Sequence, residues 1–201
     1  MNGFTTKGSV LMVIKTWRLL PAYLIAMNSP NSKVILKDMY SWAENRNIGD
    51  IGKYRLFAYL MLNTESFRSV LYYRLGRKAT MIKKLFRPMD SLVIGAGEIG
   101  PGLYIQHGFA TIIAAKSVGE NCWINQQVTI GFEQDRQPII GNHVRICAGA
   151  IIIGDVTVGD NSIVAAGAVV TKNIPSGEVW GGNPAHFIKM VKGSSFDDQR
   201  G

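Results

Sequence analysis

The sequence predicts a mainly β chain built on a parallel β-helix and preceded by a short helical region. Three observations carry this. An aliphatic residue returns at every sixth position through the C-terminal half, and Gly, Asn and Asp crowd the positions just after it. The first ninety or so residues lack the repeat.

The repeat is clearest at Ile140, Ile146, Ile152, Val158, Val164 and Val170, and four positions after each stands Val144, Ala150, Val156, Ser162, Ala168 or Ile174. An earlier run reads Val93, Ile99, Ile105 and then, after one extra residue, Ile112, Val118, Ile124 and Ile130. Ten positions separate Ile130 from Ile140, so four residues are inserted there. A helix repeats at 3.6 and a strand at 2, so neither holds a strict period of six. Short strands joined by tight corners do. The runs Ile140-Gly-Asn, Val158-Gly-Asp and Val118-Gly-Glu supply residues suited to such corners.

Upstream, the chain reads as helices joined by turns at Asn28-Ser-Pro-Asn-Ser32 and Asn47-Ile-Gly49. Phe67 to Arg87 interleaves apolar residues with seven basic ones, a basic amphipathic pattern that fits a packed helix with solvated charges or contact with an anionic membrane surface. Val10 to Met27 is apolar but interrupted by Lys15, Arg18 and Pro21, which favours an interfacial or core-packed helix over a membrane span. The expected organisation is a helical N-terminal domain over residues 1–90, a β-helix over 91–178 and a C-terminal segment over 179–201, frayed after Val191.

Charge divides along the same boundary. Residues 1–92 hold 15 Lys and Arg against 5 Asp and Glu, whereas residues 93–201 hold 7 against 9. The basic excess belongs wholly to the helical part, and no nucleic-acid motif accompanies it. Two cysteines, Cys122 and Cys147, are too few for a disulfide framework and read as free thiols in a reducing cytosol. No metal is expected.

Only three histidines occur. His143 lies in a corner and His186 follows Asn183-Pro-Ala; both read as surface positions. His107 lies in Gly102-Leu-Tyr-Ile-Gln-His-Gly108, beside the break in the six-residue register. Imidazole titrates where a general base must, and a register break re-aims a side chain.

The run Ile99-Gly-Pro-Gly-Leu-Tyr-Ile-Gln-His107, with Val128-Thr-Ile-Gly131, Asp135-Arg-Gln-Pro138 and Gly182-Asn-Pro-Ala185, resembles the hexapeptide-repeat acyltransferases, in particular the serine acetyltransferases and the capsular or colanic acid O-acetyltransferases. The resemblance covers residues 93–190. It implies a left-handed helix, acetyl-CoA as donor, His107 as general base and a homotrimer with active sites between subunits. Counting along the coils puts His107, Gln126, Ala148 and Ala166 in one column, the alanines fitting the floor of a pantetheine groove, with Gly131 beside it and Lys172 placed for a CoA phosphate. The inserted segment Phe132 to Gln137 projects as a loop, with Arg136 as an acceptor ligand.

The acceptor is expected to be a saccharide. Serine enzymes of this kind carry Asp before the catalytic His, a further Asp upstream and a His after the loop Arg; here stand Gln106, Leu92 and Gln137. Amides suit a neutral, hydroxyl-rich sugar, and the basic N-terminal part suits an enzyme in the cytoplasm working peripherally at the inner membrane face. O-acetylation in surface-polysaccharide synthesis, with Gln106, Gln126, Arg136 and Gln137 on the sugar, is therefore the leading expectation. Serine O-acetylation in cysteine biosynthesis is the alternative, and a non-catalytic scaffold the alternative of another class.

Overall fold

A computed structural model describes residues 16–191, and the chain divides into two compact units, residues 1–89 and 90–201. The first unit is helical: α1 (Leu20–Met27), α2 (Ser32–Asn45), α3 (Lys53–Asn63), α4 (Glu65–Leu75) and α5 (Thr80–Leu85). Helix α2 shows why. Ile35, Asp38, Met39, Trp42 and Ala43 recur at helical spacing on its buried face. Trp42 and Phe67, both fully buried, meet edge to face at 5.5 Å.

The Phe67 to Arg87 stretch is not one amphipathic helix. Gly76, with φ +55°, ends α4, and a 3-10 turn (Gly76–Ala79) leads into α5. Two of its seven basic residues point inward. Arg74 bonds the Asp38 carboxylate at 2.9 Å, and Arg68 donates to the carbonyls of Met61 and Arg87. Arg77, Lys78, Lys83, Lys84 and Arg87 stay exposed. Of the apolar Val10 to Met27 segment, the part from Trp17 forms a 3-10 turn (Trp17–Leu19) and α1, while its beginning lies outside the described residues, as does the tail after Val191. Among the described residues no helix is long and apolar enough to cross a membrane.

The second unit is a three-faced parallel solenoid of about five turns. Face A stacks β1 (Leu92–Ile94), β4 (Thr111–Ile113), β7 (Thr129–Gly131), β10 (Ile151–Ile153) and β13 (Val169–Val170). Face B stacks β2 (Glu98–Ile99), β5 (Ser117–Val118), β8 (Ile139–Ile140) and β11 (Thr157–Val158). Face C stacks β3 (Tyr104–Ile105), β6 (Trp123–Ile124), β9 (Arg145–Ile146), β12 (Ile163–Val164) and β14 (Glu178–Gly181), with β15 (His186–Met190) added antiparallel at the end. Strand β14 carries the stack past residue 178.

The repeating aliphatics form the core: Ile105, Ile124, Ile146 and Val164 are fully buried in register on face C, each such side chain contributing about 1.5–3 kcal/mol. The residues four places on, from Val144 to Ile174, are buried as well. On face A the inward residues of the first coils are Leu92, Thr111 and Ile113. Val93 and Ile112, the positions given by the six-residue count, face outward at 53% and 43% exposure. Adjacent aliphatics at 92–94 and 112–113 leave the period unable to choose, and packing chooses for it.

The corners explain the polar residues. Between faces B and C, Gly102, Asn121, His143, Asn161 and Gly177 occupy one column, all with positive φ. His143 is thus a corner residue, in line with its neighbours Asn121 and Asn161. One position upstream in this corner lie Asn142 and Asp160, whose side chains bond the backbone N–H of Glu120 and of Asn142 in the coil before. A Cβ on Gly159 would stand 2.5 Å from the Ser176 nitrogen, so only glycine lets these coils close up.

Candidate functional site

The corner between faces C and A is built four times, and once it departs. In later coils Asn125-Gln126-Gln127, Cys147-Ala148-Gly149 and Ala165-Ala166-Gly167 turn the chain, with Gln127, Gly149 and Gly167 at positive φ. Gln127 N–H donates to the Phe109 carbonyl, whereas Gln106 N–H donates to the Ile124 carbonyl. From the face C side Gln106 therefore pairs with Asn125, and from the face A side Phe109 pairs with Gln126. His107 and Gly108 are left over. The register break is two residues at this corner, compensated by a shorter Ile113 to Val118 step, rather than the single residue that the period suggested.

His107 has φ +65°, and Gly108 N–H donates back to the Gln106 carbonyl at 2.8 Å. A three-residue turn with a positive-φ, non-glycine centre is rare and strained, and such strain gathers at functional sites. The imidazole is exposed and makes no hydrogen bond or ion pair among the described residues. Glu98, an outward residue of face B, stands on the face opposite this corner. Gln126, Ala148 and Ala166 do share a column on the same corner as His107; Ala166 is exposed, and Gln126 and Ala148 are partly so.

The remaining expected residues lie elsewhere. The loop after β7 is pinched by two main-chain bonds between Glu133 and Arg136, at 3.0 and 3.1 Å, and leaves the corner between faces A and B. Arg136 is exposed there, Gln137 half-buried, and Lys172 exposed at the same corner three coils' depth from His107. Gly131 ends β7 beside them, and a Cβ on it would meet only ordinary contacts at 3.7 Å. Within one chain face A separates this group from His107. His186 is exposed on β15.

A second group beside His107 was not singled out from sequence. On the outer side of face C, the Arg145 guanidinium carbon lies 4.3 Å above the Trp123 ring, and Tyr104 meets that ring edge-on at 5.3 Å. Trp123 Nε1 donates to Gln106 Oε1 at 3.2 Å. Three of the four buried polar atoms lacking a partner among the described residues lie here: Asn125 Oδ1, Gln126 Oε1 and Arg145 Nε. Burial pushes the Cys147 thiol above its usual range, with Arg145, which bonds it, pulling partly back. Trp and Arg standing just before Ile124 and Ile146, in consecutive coils, were the available signal. Among the described residues no group of His, Cys, Asp and Glu could hold a metal ion.

A parallel three-faced solenoid is the fold of the hexapeptide acyltransferases, and residues 137–172 match the family described as bacterial transferase hexapeptide (six repeats). The chain is 34% identical to serine acetyltransferase of Helicobacter pylori over 55% of its own length and 68% of that protein. The fold is similar to the crystal structure of serine acetyltransferase from Brucella abortus strain S19, with TM-score 0.64 and 27% identity over 83% of this chain and 72% of that one. It is likewise similar to soybean serine acetyltransferase complexed with serine, with TM-score 0.64 and 25% identity over 81% and 73%. The chain belongs to the serine acetyltransferase family, and its solenoid is the left-handed β-helix of that fold. It spans 37% and 60% of the length of two other curated relatives.

These relationships overturn the saccharide expectation. The relatives are named for serine, and polysaccharide O-acetylation has no support among them. The inference from Gln106 and Gln137 failed because an amide offers both donors and acceptors and does not by itself exclude a zwitterion.

Proposed function

We propose that the protein is an acetyl-CoA-dependent O-acetyltransferase whose acceptor is serine, with His107 as the general base. The observation that carries this reading is the two-residue projection of His107 and Gly108 from an otherwise regular corner, above the column of Gln126, Ala148 and Ala166. The imidazole takes the proton of the acceptor hydroxyl as its oxygen attacks the thioester carbonyl carbon. The resulting tetrahedral intermediate collapses, the C–S bond breaks, and the imidazolium returns the proton to the departing thiolate. The products are an O-acetyl ester and free CoA.

The small residues of the column support an extended pantetheine arm along the corner. Lys172 would meet a CoA phosphate and Arg136 and Gln137 the acceptor, and since they stand on another corner from His107, they reach it only from a neighbouring copy. That separation supports an assembly with sites between subunits, and the resemblance favours a trimer.

The test is direct: purified protein with acetyl-CoA and L-serine should release CoA thiol and yield O-acetylserine by mass spectrometry. Release of CoA no faster with serine than without it would overturn the reading.

A further inference from the structure

The stretch from Gly76 to Met89 is tied down firmly and still turns apolar side chains outward. Ala79 and Ile82 are buried on the inner flank of the 3-10 turn and α5. Past the end of α5, Arg68 Nε donates to the Arg87 carbonyl at 2.5 Å, the Tyr72 hydroxyl to the Phe86 carbonyl at 2.6 Å, and Met89 N–H to Ser69 Oγ at 3.0 Å. On the outer face Met81 and Leu85 are 79% and 78% exposed, the highest values among the described large apolar side chains. They stand four residues apart, neighbours on one face of α5. Arg77 and Lys78 lie four and three residues before Met81, and Lys84 three after it, so cations flank the pair. Lys83, over the Tyr72 ring at 5.7 Å, and Arg87 are exposed as well. The sequence from Gly76 to Met89 holds no Asp or Glu, and none of the five cations is in an ion pair among the described residues. A lone exposed apolar residue needs no explanation, whereas two on one face inside a field of single sign do.

We propose that this face of α5 and the 3-10 turn before it docks the protein on the surface of an anionic lipid bilayer. Met81 and Leu85 enter the boundary between headgroups and acyl chains, while Arg77, Lys78, Lys84 and Arg87 meet the lipid phosphates. Each cation near anionic lipid strengthens the partition by roughly fivefold, and the two apolar side chains hold what the charge collects. A nucleic acid backbone would engage the same cations but offers Met81 and Leu85 no apolar medium, and no fully exposed aromatic residue occurs from Gly76 to Met89 to stack on a base. A second copy of this chain, paired through the same face, would set like charges against each other. The surface shares no residue with the site around His107, so it stands whatever the acceptor.

Vesicle co-sedimentation of the full chain tests this. Vesicles of phosphatidylcholine with about 30% phosphatidylglycerol should bind the protein about 30-fold more tightly than pure phosphatidylcholine vesicles. Raising salt from about 0.1 M to about 1 M should erase that preference, since the screening length falls from about 10 Å to about 3 Å. The double variant Lys78→Glu/Lys84→Glu should bind the anionic vesicles about 30-fold less tightly or worse, and Met81→Ser/Leu85→Ser, which keeps every charge, about tenfold less tightly. All four positions are exposed, so the denaturant midpoints of both variants should match the wild type and show that they fold. Equal binding to the two kinds of vesicle, binding to neither, or wild-type binding by either folded double variant overturns the proposal. A duplex oligonucleotide bound more tightly than the anionic vesicles would assign the face to nucleic acid. A changed oligomeric mass of Met81→Ser/Leu85→Ser in ultracentrifugation would assign it to a second copy, and either result overturns the lipid surface.

Discussion

Inside the helical unit Arg74 is bonded to Asp38 with both side chains almost wholly buried, and Arg68 is bonded to two main-chain carbonyls. On the solenoid Arg136, Arg145 and Lys172 have no carboxylate partner among the described residues, and His107 has no bonded partner there either. The helical unit therefore uses its inward charge to fix one packing, whereas the solenoid, already fixed by stacked aliphatics, leaves its charges available. A repeat makes the contrast readable. Each corner is a control for the next, and a residue the stacking does not explain stands out.

The contrast breaks most sharply at Asp38. Asp38→Asn strands a buried guanidinium and should cost about 3–5 kcal/mol, read as a lowered midpoint in denaturant unfolding of the full chain. The exposed His107 should behave in the opposite way: His107→Ala is expected to cut turnover by about 10²-fold or more with unchanged unfolding, measured as CoA release. Equal turnover would remove His107 from the mechanism. A smaller effect is expected from Ala166→Leu, which fills the corner column and should raise KM for acetyl-CoA about tenfold, equivalent to about 1.4 kcal/mol, without changing the acceptor KM. Least is expected from Cys122. Burial pushes its thiol from 9.0 up to about 12, so the native protein should resist alkylation there at pH 8 while the partly exposed Cys147 reacts first. The sign is that of a raised acid: Cys122 favours the fold fully below pH 9.0 and loses that contribution as pH climbs toward about 12.

Much of the solenoid was legible because a period of six has one physical cause, and from Val118 onward each counted aliphatic is inward. The count failed at Val93 and Ile112, where neighbouring residues are equally apolar and only packing selects the face. At His107 the period showed that the register broke but gave its size as one residue; hydrogen bonds on both sides of the corner were needed to isolate His107 and Gly108. The column of Gln126, Ala148 and Ala166 followed from counting, whereas its separation from Arg136, Gln137 and Lys172 did not, because a period records depth along the axis and not which corner a loop leaves. Trp123 and Arg145 occupy outward positions, which a period of buried aliphatics does not mark. The acceptor was misread because amide for carboxylate was taken as a change of ligand class, when Gln106 has its orientation set by a tryptophan one coil away.

Strand β15 bears on the size of the molecule. It runs antiparallel to β14, and all five of its residues are exposed. A further coil would need a parallel neighbour to continue the ladder, and β15 presents the wrong polarity for one. The solenoid is thereby closed to growth at this end, and a longer version could arise only by inserting whole 18-residue coils upstream, where Ile140 and Val158 show the spacing that leaves the register intact. Each inserted coil would move Lys172 about 4.8 Å further from His107. The hairpin makes the solenoid a ruler of set length, fixing the axial distance between its first and last corners.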